Sequence, residues 1–523
     1  MAPRPKVICR RLWPGILLLL LAAGISAGND LAPLVPADHI GCAARTTSFK
    51  AVGRVEASGL TGEGISYFKA PDRIRTEIDL GVFTMMEGFD GETAWMIDQN
   101  GQLLVLDGAE RRRMINNVYF TGQSYLLDDR MPGSVTFLKD TAAAGNRYKI
   151  FTAVPENGDT FWLFLNEATG RVEISQIRVD ELILTDYLSD YRSFDGCPVS
   201  FRNRTEGPIS QLDARVEMDS VEFNIALDDT LFAPPAIASD DFEFPAGADS
   251  VVVPFVYKNG HIYLKASLNG RDEVFFVLDS GAGTNIIDRA YADRIGLNIS
   301  GDFPAKGIAG YESAAVAGLD SICLGGIIWH HSTVAVVDLP SLRPRTPEKP
   351  LGGILGYHLL SRLPIRVSYG DSQLVVYNPA AYVPPPDEFA AGLGFFIKIP
   401  TVEATVNGCP GRFLLDLGNS LGVVLHSGFV ERCRLDETLT DVREIESGIG
   451  GIGGSSETSA AMVGRLRLGP VRLESVPVLL PRGGEGVLGS IEIDGNLGNL
   501  FLQEFDIVLD YGHKKVFILP PDN

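Results

Sequence analysis

One pattern of strand and turn occurs twice in this chain, in the same order. Asn269-Gly270 precedes Phe275-Phe276-Val277-Leu278, which ends at Asp279-Ser280-Gly281-Ala282. Asn407-Gly408 precedes Phe413-Leu414-Leu415, which ends at Asp416-Leu417-Gly418-Asn419. The Asn-to-Asp offsets are 279 − 269 = 10 and 416 − 407 = 9. Downstream, Ile354-Leu355-Gly356-Tyr357 leads to Ile365–Gly370, and Asn496-Leu497-Gly498-Asn499 leads to Ile507–Gly512. The Gly-to-Gly spacing is 370 − 356 = 14 and 512 − 498 = 14. Agreement at both ends points to internal duplication. Such a chain has to build two like units, and a pseudo-twofold axis can bring their equivalent turns face to face.

Each copy presents an Asp at the end of an apolar strand, with a Gly two residues later where the backbone turns. One such turn is ordinary, because Asp commonly caps turns through its own side chain. Two in duplicated units form a candidate pair, Asp279 with Asp416. Carboxylates about 3 Å apart repel by roughly 5 kcal/mol at an effective dielectric of 20, equivalent to about four pKa units. One would stay ionised and the other protonated. Such a pair can activate a water and polarise a carbonyl, hydrolysing an amide without metal or covalent intermediate.

The remaining sequence frames this unit. Gly (57 residues) and Pro (31) favour short strands and turns over long helices. Pro-rich stretches at Phe232–Ser250 and Tyr382–Asp387 read as solvated connectors. They leave blocks at about 35–235, 250–380 and 392–523. The first block alternates apolar and polar residues between turn dipeptides such as Asp90-Gly91 and Asn100-Gly101, predicting an antiparallel meander with one short helix around 109–130. Residues 1–27 read as an export signal: Arg4, Lys6, Arg10 and Arg11, then an apolar run around Ile16–Leu21, then Ser26-Ala27-Gly28. An uncleaved anchor is the lesser alternative. The mature chain would hold five cysteines, with Cys42–Cys197 and Cys409–Cys433 the first pairs to test. A net charge of −21 argues against nucleic acid as a partner. No Cys/His spacing resembles a metal site, and no cofactor is implied.

Phe276-Val277-Leu278-Asp279-Ser280-Gly281-Ala282 resembles the signature of retropepsin-like aspartic proteases, and Gly353-Ile354-Leu355-Gly356 resembles the element packed beside their catalytic turn. The resemblance covers roughly 250–523. It implies two tandem retropepsin-like β-barrel lobes forming a pepsin-like bilobal unit. Asp279 and Asp416 would be catalytic, with Ser280, Gly281, Ala282, Gly418 and Asn419 shaping and bracing the turns. An extended peptide or protein would be the substrate, and a monomer would suffice. Leu417 departs from the Thr or Ser that braces the opposite turn in that family, so a peptide-binding protein without cleavage is the alternative. A pair made by Asp279 from two chains is another. Flap candidates are Gly310 and Tyr311 in the first copy and Gly450 and Gly451 in the second. Residues 35–235 resemble, more weakly, the lipoprotein-carrier fold, an incomplete antiparallel β-barrel. The features carrying this are Ala70–Arg75, Gly88-Phe89-Asp90-Gly91 with Trp95, and Gly196-Cys197-Pro198. It implies a cup for a lipid or lipidated ligand, and a third reading in which the chain is a lipid carrier with structural C-terminal lobes. The fold class expected overall is mainly β.

Overall fold

The computed structural model describes residues 29–521, apart from 180–181, 195–196, 237–240, 307–310, 397, 452–453 and 483–491. It is 55% strand and 13% helix, matching the mainly β expectation. Among the described residues, thirteen strands between Ser48 and Phe223 form one antiparallel sheet. Its centre is the pairing of Ser48–Ala57 with Ala214–Phe223, and its outer strands are Leu103–Val105 and Gly133–Ala143. The sheet is therefore open rather than a closed barrel. Alternation explains the strands: in Phe161–Asn166 buried and half-buried residues alternate along most of the run. The expected short helix is Gly108–Thr121. A second helix, Ala37–Arg45, was not foreseen. It is tied to the sheet by the Cys42–Cys197 disulfide.

The connector after Phe223 differs from expectation. Phe232 is fully buried and its carbonyl accepts a 2.7 Å bond from Trp95 Nε1. Phe242–Glu243 adds a short strand to Ile327–Val337. Apolar Phe residues within a Pro-rich stretch decide this: burying them outweighs the local preference for a solvated loop. The second connector keeps its exposed character at Val383, 83% exposed.

The two copies repeat one topology. Val274–Leu278 pairs in parallel with Leu351–Leu355, and Cys409–Leu415 pairs in parallel with Gly495–Leu497. Both Asn-Gly dipeptides turn with positive φ at both residues, as a tight hairpin turn requires (Asn269 51°, Gly270 67°; Asn407 49°, Gly408 86°). The copies share a sheet: Ile365–Val367 pairs antiparallel with Ile507–Leu509. They also share a core that includes Leu278, Leu355, Ile365, Leu415, Leu497 and Ile507. A second disulfide, Cys409–Cys433, lies in the second copy, and Cys323 is free.

Candidate active site

Asp279 and Asp416 leave their strands in the same way. The backbone N–H of Asp279 donates to Leu355 O (2.9 Å), and that of Asp416 donates to Leu497 O (3.0 Å). Each turn then folds back, with Gly281 N donating to Asp279 Oδ1 (2.7 Å) and Gly418 N to Asp416 Oδ1 (2.9 Å). The two carboxyl groups face each other, each lying against the glycine of the opposite turn. The glycines make the meeting sterically feasible. A Cβ on Gly281 would lie 2.6 Å from Asp416 Oδ1, and one on Gly418 would lie 2.1 Å from Asp279 Cγ.

Burial raises the pKa of Asp279 well above the ordinary carboxylate range, and the Asp416 charge pushes the same way. Aromatic side chains supply part of the dry environment. Tyr511 is buried, within electrostatic reach of Asp279, and packs on Tyr357 and Phe395 with ring centroids at 5.9 and 5.1 Å.

The cross-brace between the turns is one-sided. Ser280, fully buried, donates from Oγ to Leu415 O (2.7 Å) and accepts from Leu417 N (2.9 Å). Leu417 offers no hydroxyl in return, and its side chain is buried in the shared core. A different residue ties the Asp416 turn to the first copy. Asn499 Nδ2 donates to Leu417 O and, at 2.9 Å, to Gly260 O of the first copy, while Tyr369 OH donates to Asn499 Oδ1. The N–H of Asn419 donates to Asp416 Oδ1 (3.0 Å), and its Oδ1 accepts from Leu421 N (2.9 Å). Ala282, at the equivalent place, is buried against Ile354 and Val277 in an apolar cluster.

Of the flap candidates, Gly310 lies outside the described residues. Tyr311 opens the strand Tyr311–Leu324, which pairs with Ile299–Lys306 as a hairpin. Gly450 and Gly451 end Thr440–Gly451, which pairs with Gly454–Leu468 as the corresponding hairpin of the second copy. The first hairpin is held at its base by the N-terminal sheet. Asp302 N donates to Ser58 O (2.7 Å), and Phe303 packs on Phe83 with centroids 6.1 Å apart.

Sequence reasoning missed Asn496, Asn499 and a contact from the N-terminal sheet. The two asparagines were visible as polar residues where the first copy has Ile354 and Tyr357. The third contact had no sequence signal. The Asp98–Gln102 turn reaches the Asp279 turn: Lys398 Nζ donates to Asp98 Oδ2 (2.7 Å) and Gln99 Nε2 to Thr284 Oγ1 (3.4 Å). Asn100 pairs with the Thr333 backbone through both amide atoms (2.7 and 3.0 Å). Burial works to raise the pKa of Asp98, but the Lys398 charge and hydrogen bonds hold it below the ordinary value. Elsewhere, a cavity of about 260 Å³ in the N-terminal part is lined by Phe49, Phe68, Phe120, Tyr125, Leu188 and Phe223. No metal-holding cluster occurs among the described residues, and no helix among them is long and apolar enough to cross a membrane.

An aspartyl protease family model matches residues 264–359 and 402–501, the stretches that hold Asp279 and Asp416. No curated protein gives a match. Solved structures similar to the chain include a LolA superfamily protein from Nitrosomonas europaea, 14% identical, covering 39% of this chain and 97% of that one with a TM-score of 0.31. A retropepsin-like aspartic protease from Rickettsia conorii is 19% identical, covering 24% of this chain and 88% of that one with a TM-score of 0.18. The EIAV protease is 24% identical, covering 20% and 86% with a TM-score of 0.16.

Proposed function

We propose that the chain is an exported aspartic-type endopeptidase in which Asp279 and Asp416 act on one water. The observation that carries the reading is the approach of the two turns, which sets each Asp carboxyl against the glycine of the other turn; burial and Asp416 raise the pKa of Asp279 there. The family match over both turns supports it. Asp416, as carboxylate, takes a proton from the water while its oxygen attacks the scissile carbonyl carbon. Asp279 gives its proton to the carbonyl oxygen. The resulting diol collapses when one hydroxyl returns a proton to Asp279, the C–N bond breaks, and Asp416 passes its proton to the leaving nitrogen. The two hairpins would close over an extended peptide. One chain supplies both carboxylates, so a monomer would be active. The basic and apolar N-terminus supports export, as do two disulfides, which persist in oxidising compartments. The apolar cavity of the N-terminal part would take a lipid or lipidated ligand.

The test is cleavage of a mixed peptide library by the mature chain, beside Asp279→Asn and Asp416→Asn. Both variants are expected to lose at least about a hundredfold in kcat/KM. Cleavage surviving Asp416→Asn would rule out the intrachain pair. Peptide retention without cleavage by any form would favour the binding protein that Leu417 suggests.

A further inference from the structure

We infer that Asn496 is a positioning residue that places the negative charge of the pair on Asp416 and leaves the shared proton on Asp279; its catalytic meaning rests on the endopeptidase reading. The two turns are otherwise near-copies, and a symmetric pair has no reason to prefer one site. Besides Ser280 against Leu417 and Tyr357 against Asn499, they differ at two equivalent places. Asn496 stands opposite Leu414 where Ile354 stands opposite Val277, and Asn419 replaces Ala282 three residues after the Asp. Asn496 is buried, and its Nδ2 donates to Asp416 Oδ2 at 2.7 Å.

The direction of that bond is forced from the backbone outward. Leu421 N–H can only donate, so the Asn419 atom facing it at 2.9 Å is Oδ1. Asn419 therefore turns its Nδ2 to Asn496, whose Oδ1 accepts at 3.0 Å. The remaining Asn496 atom, Nδ2, then faces Asp416. An amide N–H can serve an oxygen with a free lone pair and cannot accept a carboxyl proton. Oδ2 of Asp416 is thus held as an acceptor, and Oδ1 is already occupied by Gly418 and Asn419 N–H groups. The first copy has an apolar Ile354 and Ala282 in these places, so Asp279 receives no side-chain donor from them.

The experiment uses the full chain with Asn496→Ile, and with Asn496→Ile/Asn419→Ala. The double variant copies the first turn at these two positions and leaves no orphaned side-chain amide, so it serves where the single one misfolds. Carbon-13 carboxyl titration, assigned by difference against Asp279→Asn and Asp416→Asn, is read beside the pH profile of kcat/KM. Asn496 stabilises the singly charged pair but not the fully protonated one. Its loss is expected to move the first deprotonation, and the acid limb of the profile, upward by about one pH unit. The alkaline limb should hardly move, because both states it joins carry charge on Asp416. KM should change less than about twofold. An unmoved first titration in the double variant would overturn the inference. A wild-type chain that cleaves nothing would defeat the endopeptidase reading, while the carboxyl titration would still decide the role of Asn496.

Discussion

At the scale of residues, the pair trades stability for charge control. Asp279 is held above the ordinary carboxylate range by burial first and by Asp416 second. Its folded-state pKa therefore exceeds its unfolded value of about 3.9. The folded chain binds this proton more tightly than the unfolded one, so the stability it contributes is full below about pH 4 and is lost as pH rises through the folded value. Asp279→Asn removes that loss. We expect the variant to be inactive yet more stable than wild type at pH 7, by about 1.4 kcal/mol for each unit by which the pKa is raised. At pH 3 the gain should vanish. Urea midpoints at the two pH values measure it, and an equal or lower stability at pH 7 would contradict the assignment of the proton to Asp279.

At the scale of elements, turns from three parts of the chain converge on the Asp279 side. Lys398 and Asp98 are 11% and 2% exposed, and each needs the other. Asp98 Oδ1 also accepts from the N–H groups of Asn100 and Gln102 (2.9 Å each), which shapes the turn. Asp98→Asn keeps an oxygen for those donors but leaves Lys398 buried without a counter-charge. The expected cost is about 3–5 kcal/mol, and Asp98→Asn/Lys398→Met should recover most of it. Denaturant unfolding of the full chain checks both, and a cost below about 0.5 kcal/mol would mean that water already reaches the pair. These contacts also mark what could be read from the sequence. Strand, Asp and Gly are encoded locally, and the duplication shows which turns correspond, so both aspartates and both glycines were legible. The disulfide pairs Cys42–Cys197 and Cys409–Cys433 were legible as candidates and are formed. Asn496 was half legible, as a polar residue where the repeat wants an apolar one. The Asp98–Lys398 pair was not, because 300 residues separate its members and nothing in either neighbourhood names the other. The buried connector at Phe232 was misjudged because composition weighs Pro and Asp without knowing which Phe finds a core.

At the scale of the whole molecule, the two lobes are joined by more than the carboxyls they bring together. The Ile365–Val367 and Ile507–Leu509 strands pair across the boundary, and Arg366 Nε donates to buried Asp506 at 3.1 Å beside them. Asn499 adds a bond to Gly260 O on the opposite lobe. That shared sheet has a consequence in time. During synthesis Asp279 emerges 416 − 279 = 137 residues before Asp416, and the strand that closes the sheet begins 506 − 416 = 90 residues later still. A ribosome-bound chain would hold both aspartates long before it could hold them together, so under the proposed endopeptidase function it would be harmless to its own nascent neighbours until the joining strand arrives. A chain halted at residue 500 should carry both carboxylates and cleave nothing. Cleavage by that shortened chain would show that the sheet is not the catch.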